Sequence, residues 1–531
     1  MKALATRIVS VIPLVVAAAG VPRANTACQD LASAAVPDTT IRIAQSVPAG
    51  TFTPPYGGRL DNVPAFCRVA GVIRPTSDSY IRFEVWLPES GWNGRLLGVG
   101  NGGFAGSIDF NSMGRNLRRG YATAATDTGH EGEAVDASWA FRHPEKVVDF
   151  GHRALHLTAA DAKSVIQAFY GRGARHSYFD SCSDGGREAL IEAQRFPEDY
   201  DGILAGAPAN AWTQMLASGV DRIRRSYSDP ASYISGTKIP AISAAVLAAC
   251  DAQDGVRDGI INDPPRCRFD PSALLCKDVE SRDCLTASQV ATLKAVYAGT
   301  RNAAGTLVLP GLMPGAEGGA GGWSQWVLGY GPGGSLGVVY VENYFRYMVY
   351  EDPAWNALTA GVETAARDAA QKTARALDAT DPDLSRFQAR GGKLILYHGW
   401  NDPAVPPLNT VNYYQGVLAR MGAQAAESFV RLYMVPGMQH CTGGPGPNSF
   451  GQLGNTTARG PEYGVYAALE QWVENGTPPG DMVATKYVAD TVARGVQMTR
   501  PLCAYPQVAR YKGSGDTNDS ANFECAAQPG P

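Results

Sequence analysis

A serine, an aspartate and a histidine lie far apart in this chain, each in a setting that suits acyl-transfer chemistry. Ser183 sits in "DSCSDGG" (residues 180–186), directly after Cys182. His440 sits in "QHC" (residues 439–441), directly before Cys441. Asp402 lies between them in "GWNDPAVPP". A serine hydroxyl is a weak nucleophile until a base takes its proton, and the base needs a carboxylate to orient its ring. Of seven histidines, only His398 and His440 follow Ser183. His398 falls inside the apolar run "LILYHGW" and reads as a packed structural histidine. His440 falls in a glycine-flanked loop after an apolar run, where a base is expected. Asp402 precedes Pro403, which turns the chain and leaves the carboxylate at the end of a strand.

These side chains work together only if the elements around them deliver them to one edge of a sheet. "HSYFDSCSDGG" runs from an apolar strand into a turn, and "REALIEAQRF" then reads as a helix. A serine at such a strand-to-helix turn occupies the nucleophile elbow of the α/β-hydrolase fold. That turn wants glycine two residues to either side. Gly185 supplies one, and the small Ser181 stands at the other place. The chain order Ser, Asp, His is also that of the fold. Further apolar runs read as buried parallel strands: "RLLGVGNGG", "GYATAATDTG", "DGILAGAPA", "KLILYHGWND" and "ESFVRLYMVPG". Amphipathic stretches separate them, as an α/β sheet requires. An oxyanion hole needs two backbone N–H groups. Asp184, after the nucleophile, is one candidate, favoured by the helix dipole. The glycine turn "GNGGF" offers the other, Gly103, with Gly102 in reserve.

Residues 210–380 break this rhythm with four cysteines, an acidic loop and the glycine-rich patch "GAEGGAGGWSQWVLGYGPGG". The expected organisation is an α/β-hydrolase catalytic domain built from 25–209 and 381–531, with 210–380 inserted as a large lid domain. The patch lacks a phosphate-loop lysine and reads as a surface loop. The 531 residues carry a net charge of −4 and no long basic run, which disfavours nucleic acid and anionic membranes as partners. Residues 1–24 read as an export signal: Lys2 and Arg7, the apolar "VSVIPLVVAAAG", then small residues up to Ala27. The run is too short to span a bilayer. Asn25 disfavours a lipid-modified Cys28, so no stable membrane anchor is expected. The reading is a secreted or periplasmic protein of undetermined oligomeric state.

Ten cysteines in an exported chain favour disulfides. Local pairing gives Cys28–Cys67, Cys250–Cys267, Cys276–Cys284 and Cys503–Cys525, and leaves Cys182 and Cys441 for each other. Connectivity does not follow from sequence alone. If His440 and Ser183 are hydrogen-bonded, their cysteine neighbours come close to the span of about 4.4–6.8 Å between Cα atoms that a bridge needs. By chain entropy that bridge would stabilise the fold by about 5 kcal/mol.

With Cys182–Ser183, Asp402 and His440–Cys441 in this order, the chain resembles the tannase and feruloyl esterase family. The likeness extends through "YFDSCSDGGREALIEAQRFPEDYDGILAGAPA", "HGWNDPAVPP" and "VPGMQHC". The resemblance implies a serine esterase with a structural Ca2+ site in the lid. "CDAQDGVRDGIINDPPRC" (residues 250–267) matches that site. Asp251, Asp254 and Asp258 would supply carboxylates, and Val256 and Ile260 backbone carbonyls, as a hard cation wants. It also implies esters of aromatic acids as substrates: feruloyl, galloyl or chlorogenate esters, as free small molecules or on plant cell-wall and polyphenol material. Phe104, Ala404, Trp323, Trp326, Tyr344 and Phe345 are the expected pocket residues. One branch of the family cleaves a terephthalate monoester, whose free carboxylate would call for a lid arginine. Residues 303–345 hold no Lys or Arg, which disfavours that branch, although Arg346 or another lid arginine could reach in. Two further alternatives are a peptidase on the same fold and a non-catalytic, calcium-stapled binding protein.

Overall fold

The computed structural model describes residues 27–458, 460 and 463–527. The export signal expected over residues 1–24 lies outside the described residues. Nine strands form one mixed sheet: β1 (Thr39–Val47), β2 (Phe66–Ile73), β3 (Ile81–Pro88), β4 (Arg95–Val99), β5 (Ala122–Thr126), β6 (His176–Cys182), β7 (Gly202–Gly206), β8 (Lys393–Gly399) and β9 (Val430–Val435). Their order is β1-β2-β3-β5-β4-β6-β7-β8-β9. The first three strands form an antiparallel meander that joins β5 antiparallel. From β5 to β9 all neighbours run parallel. The fold is α/β.

The parallel strands are apolar on both faces because both faces are covered. Successive residues enter opposite cores, as the two-residue period of a strand dictates. Tyr178, Leu204 and Ile395 join one core, with Trp86 and Trp472. Phe179, Ile203, Leu394 and Leu396 join the other. At the sheet's edge, β1 alternates between exposed and partly buried residues.

Between β7 and β8 no element joins the nine-stranded sheet. Part of this long insert has its own core, with Ile242, Val246, Leu293, Leu312 and Trp323. The rest shares a core with the sheet's loops: Trp212, Leu216, Tyr344 and Phe345 pack with Phe104 and Phe150. The stretch Pro230–Asp254 is long and apolar enough by composition to cross a membrane. Here it is broken into short turns and the helix Ile239–Cys250, whose Ile242 and Val246 face the insert core. After β9 the chain builds two small antiparallel sheets, Met482–Tyr487 with Val496–Leu502 and Val508–Tyr511 with Phe523–Ala526. Five disulfides join Cys28–Cys67, Cys182–Cys441, Cys250–Cys267, Cys276–Cys284 and Cys503–Cys525.

Candidate active site

β6 ends at Cys182 and the helix Asp184–Arg195 begins two residues later, so Ser183 must turn the chain alone. It does so at φ +70° and ψ −122°, a conformation that L-residues with a Cβ rarely adopt. The surroundings hold it there. The Ser183 N–H donates to the Gly206 carbonyl, and the Ser183 carbonyl accepts from Gly186, Arg187 and Ala209. A Cβ on Gly185 would lie 1.8 Å from the Ser181 hydroxyl, and one on Gly186 would lie 2.2 Å from the Gly206 carbonyl oxygen. Ser181 is therefore the close neighbour of the required glycine, which is why a small residue suffices there.

His440 comes from the loop after β9. Its Nε2 lies 2.8 Å from Ser183 Oγ, and its Nδ1 lies 2.6 Å from Asp402 Oδ2. Cys182 and Cys441, each next to one of these residues, are bonded with Cα atoms 6.0 Å apart. Asp402 is fully buried just after β8. Its Oδ1 accepts from the Ala404 and Val405 N–H groups at 2.7 and 3.0 Å. Its Oδ2 is shared between His440 and His398, whose Nε2 is 3.0 Å away. Burial alone would raise the Asp402 carboxyl, but the two imidazoles beside it hold it well below the usual carboxylate range. His398 thus does more than pack. Its Nδ1 lies 2.7 Å from Thr410 Oγ1, and its Nε2 also faces the Val405 carbonyl oxygen. Both neighbours of Nε2 are acceptors, so the proton sits on Nε2.

Gly103 and Asp184, the first residue of the helix after the nucleophile, line the same cleft as Ser183. Neither backbone N–H donates to a protein acceptor among the described residues. Gly103 has φ +61°, and a Cβ there would lie 2.2 Å from the Ala134 carbonyl oxygen, so only glycine fits. Glu188 supports the same loop from below: its Oε2 accepts from the Asn101 N–H at 2.8 Å. Burial, then the neighbouring Asp184, push the Glu188 carboxyl up to about 8.

Two clefts meet at His440. The first, about 600 Å³ including its mouth, touches Ser183, Gly103, Asp184 and His440. Its walls are apolar and aromatic: Trp212, Met215 and Leu216 from one helix, Tyr340 and Val341 from another, with Trp326 and Ala404. The second, about 1410 Å³, touches His440 and Trp326 but not Ser183, and is lined by residues 318–321, Gln439 and Thr442–Pro445. The glycine-rich patch expected as a plain surface loop therefore borders the site, and the Gln439 side chain donates to the Gly318 carbonyl at 2.7 Å.

The expected pocket residues divide. Trp326 and Ala404 line the first cleft, and Trp326 meets His440 edge-on at 5.4 Å. Phe104 lies one layer behind, buried against Tyr340 and Trp212. Trp323, Tyr344 and Phe345 are elsewhere. Trp323 fills the insert core, Tyr344 is buried and bonded to Thr373, and Phe345 stacks on Trp355. Arg346 is held by Glu342 and the Trp355 carbonyl and does not line the cleft. Trp212, Met215 and Tyr340 were not anticipated. Their only sequence signal is the apolar face of an ordinary helix.

The acidic loop is closed by Cys250–Cys267, and its Gly259 borders the second cleft, which His440 also lines. Asp251 accepts from the Gly259 N–H, Asp254 from Val256 and Asp258 from Ile260. Arg500, from one of the small C-terminal sheets, pairs with Asp258 at 2.5 Å. Burial, then the neighbouring charges of Asp258 and Asp251, push Asp254 up to about 6, with its bond to Val256 opposing. The Val256 and Ile260 carbonyls accept no backbone hydrogen bond among the described residues. An all-oxygen set with surplus negative charge fits a hard cation. Among the described residues, Asp481, Cys503 and Cys525 hold their ligand atoms within 4.8 Å of one another, but the two sulfurs are bonded together.

The family model described as tannase and feruloyl esterase matches residues 67–526. An uncharacterized esterase of Xanthomonas campestris pv. campestris is 46% identical, over 95% of this chain and 92% of its own. A probable feruloyl esterase B-1 of Aspergillus oryzae is 34% identical, over 87% of this chain and 84% of its own. The crystal structure of feruloyl esterase B from Aspergillus oryzae superposes with a TM-score of 0.86 at 32% identity, covering 94% of this chain and 99% of the other. Tannin acyl hydrolase from Aspergillus niger shares the fold, with a TM-score of 0.73 at 24% identity over 93% of each chain. This chain belongs to the tannase and feruloyl esterase family and is a carboxylic ester hydrolase.

Proposed function

We propose that this chain is an exported serine esterase that hydrolyses esters of phenolic acids, such as feruloyl, galloyl or chlorogenate esters, through an acyl-enzyme. The observation that carries the reading is the continuous relay from Asp402 through His440 to Ser183 at the mouth of an apolar, aromatic-walled cleft. His440 Nε2 takes the proton of Ser183 as Oγ attacks the ester carbonyl carbon. The Gly103 and Asp184 N–H groups stabilise the oxyanion. His440 then returns the proton to the leaving alcohol oxygen. Water then attacks the acyl carbon as His440 takes its proton, the bond to Ser183 Oγ breaks, His440 returns that proton to Oγ, and the acid is released. Asp402 orients the imidazole and stabilises it while it is charged.

The two clefts give the substrate a direction. The acyl half must stay beside Ser183 and the oxyanion donors, which the first cleft touches together. The alcohol must leave past His440 into the second, larger cleft. A flat aromatic acid suits walls made of Trp212, Trp326 and Tyr340, and the relatives named as feruloyl esterases support that choice. The acidic loop would hold Ca2+ through Asp251, Asp254, Asp258 and the Val256 and Ile260 carbonyls. There it would neutralise crowded carboxylates and take no part in the reaction. Five disulfides suit an oxidising compartment.

The test is Ser183→Ala with methyl ferulate, methyl gallate and chlorogenate. The expected result is a folded protein with no turnover and no labelling by a serine-reactive phosphonate. Full activity in that variant ends the proposal, and wild type that binds these esters without cleaving them supports the non-catalytic alternative.

A further inference from the structure

The helix Leu336–Asn343 belongs to the insert, and the Ser335 side chain caps its N-terminus. Its Tyr340 lines the cleft that holds Ser183, Gly103 and Asp184. Two rings fix the side chain. Tyr340 stacks on Trp326 at 5.9 Å and leans on Phe104 at 5.3 Å. Both rings are tied to the catalytic centre, because Trp326 meets His440 and Phe104 follows Gly103. The hydroxyl of this clamped side chain has no hydrogen-bond partner among the described residues, although the residue is only partly exposed. A half-buried O–H without a protein acceptor is free to serve a ligand.

Its position says which atom of the ligand. Tyr340 Oη lies 2.7 Å from the point where a Cβ on Gly103 would stand. Such a Cβ is about 2.5 Å from its own backbone nitrogen. Oη and the Gly103 nitrogen are therefore no more than about 5.2 Å apart. One oxygen can accept from an N–H at about 2.9 Å and from an O–H at about 2.7 Å across such a gap. The Gly103 N–H has no protein acceptor, and neither does that of Asp184. Burial, then the charge of Asp184, push the Tyr340 phenol up to about 12, so it keeps its proton through the neutral range.

We propose that the Tyr340 hydroxyl is a third donor of the oxyanion hole, beside the Gly103 and Asp184 N–H groups. As Ser183 Oγ bonds to the acyl carbon, the carbonyl π electrons move onto oxygen. Tyr340 donates a hydrogen bond to that oxygen and retains its proton. When the bond to the leaving alcohol breaks, the electron pair returns and the hydrogen bond weakens. The insert thereby supplies a catalytic group as well as the walls of the cleft. The inference rests on the serine-esterase reading above, and specifically on Gly103 and Asp184 as the backbone donors.

The experiment is Tyr340→Phe, assayed with whichever of methyl ferulate, methyl gallate and chlorogenate wild type cleaves fastest. kcat is expected to fall by about tenfold to a hundredfold, the scale for losing one oxyanion donor. KM should stay within about twofold, because the donor acts on charge that develops in the transition state. A boronic acid that forms a tetrahedral adduct with Ser183 should bind the variant more weakly by a similar factor, whereas the planar acid product should bind as before. The melting temperature should not move, since the lost hydroxyl has no protein partner. A wild-type kcat in the variant overturns the inference and leaves the esterase reading standing. So does a loss carried by KM and product binding alone, which would make the phenol a contact for the acyl ring. Tyr340→Leu serves if the phenylalanine variant does not fold, and a wild-type kcat there overturns the inference equally. No turnover of any of the three esters by wild type defeats the underlying reading instead.

Discussion

Two loops of this molecule carry acid groups beside a disulfide, fully buried in one and half-buried in the other, and they handle charge in opposite ways. At the triad, Asp402 receives two backbone N–H groups and two imidazoles. Its ionised form is favoured despite full burial. At the acidic loop, Asp254 faces Asp251 and Asp258, and its charged form is disfavoured. Arg500 reaches only Asp258. The bridges differ too: Cys182–Cys441 closes 259 residues of sequence and Cys250–Cys267 closes 17. One site is electrostatically complete within the protein. The other would be completed, in the function proposed above, by an added cation that offsets the repulsion among its carboxylates.

Breaking the triad's charge balance should have the largest effect. Asp402→Asn is expected to lower kcat by about 10⁴, because an amide holds the imidazole in the wrong tautomer. Its stability should also lose an acid-dependent component. The native fold depresses the Asp402 pKa, so its contribution is present above the usual carboxylate range and is lost as pH falls below it. Thermal unfolding from pH 2 to pH 7 in both proteins checks this. Next come the two bridges. Replacing Cys182 and Cys441 together by alanine should cost about 5 kcal/mol of unfolding free energy, against about 3 kcal/mol for Cys250 and Cys267. Only the first pair should also lower kcat, because only that bridge fixes a base against a nucleophile. Equal effects on kcat would erase the distinction between the two loops.

The triad loop was the more legible of the two in sequence, for a physical reason. A strand, a single strained residue and a helix leave a local signature at Ser183, and chain order narrows the histidines to two. The sulfur next to each partner then ties the distant pieces together. The acyl cleft left no comparable trace. Trp323 and Trp326 are three residues apart on one short helix, yet one fills a core and the other faces His440. Aromatic composition does not say which way a side chain points. The antiparallel strands β1 to β3 carry no candidate catalytic residue to draw attention to them.

Chelation tests the other half of the comparison. With excess chelator the melting temperature is expected to fall by about 3 °C, the scale for losing a cation held near a hundredfold above its Kd in a chain of this length. Added Ca2+ should restore it, while Mg2+, which demands tight octahedral geometry, should not. kcat at 25 °C should change by less than about twofold, because the triad is balanced without the ion. A kcat that tracks the cation at constant fold would join the two loops into one functional unit.

His398 gives the most discriminating effect. It adds a second imidazole donor to the carboxylate oxygen that His440 already uses. Its sequence setting suggests packing, and a packing role predicts only a lower melting temperature when it is replaced. Its hydrogen bonds suggest a positioning role acting through Asp402. In His398→Phe the carboxylate has one donor fewer, so it holds the charged form of His440 more strongly. The acid limb of the kcat/KM profile should then move to higher pH, and kcat should fall by about tenfold at unchanged KM. His398→Gln, whose amide N–H can stand in for Nε2–H, should recover most of both. A profile that stays in place while only the melting temperature drops would return His398 to the core, and Asp402 would then owe its ionised state to His440 and the backbone alone.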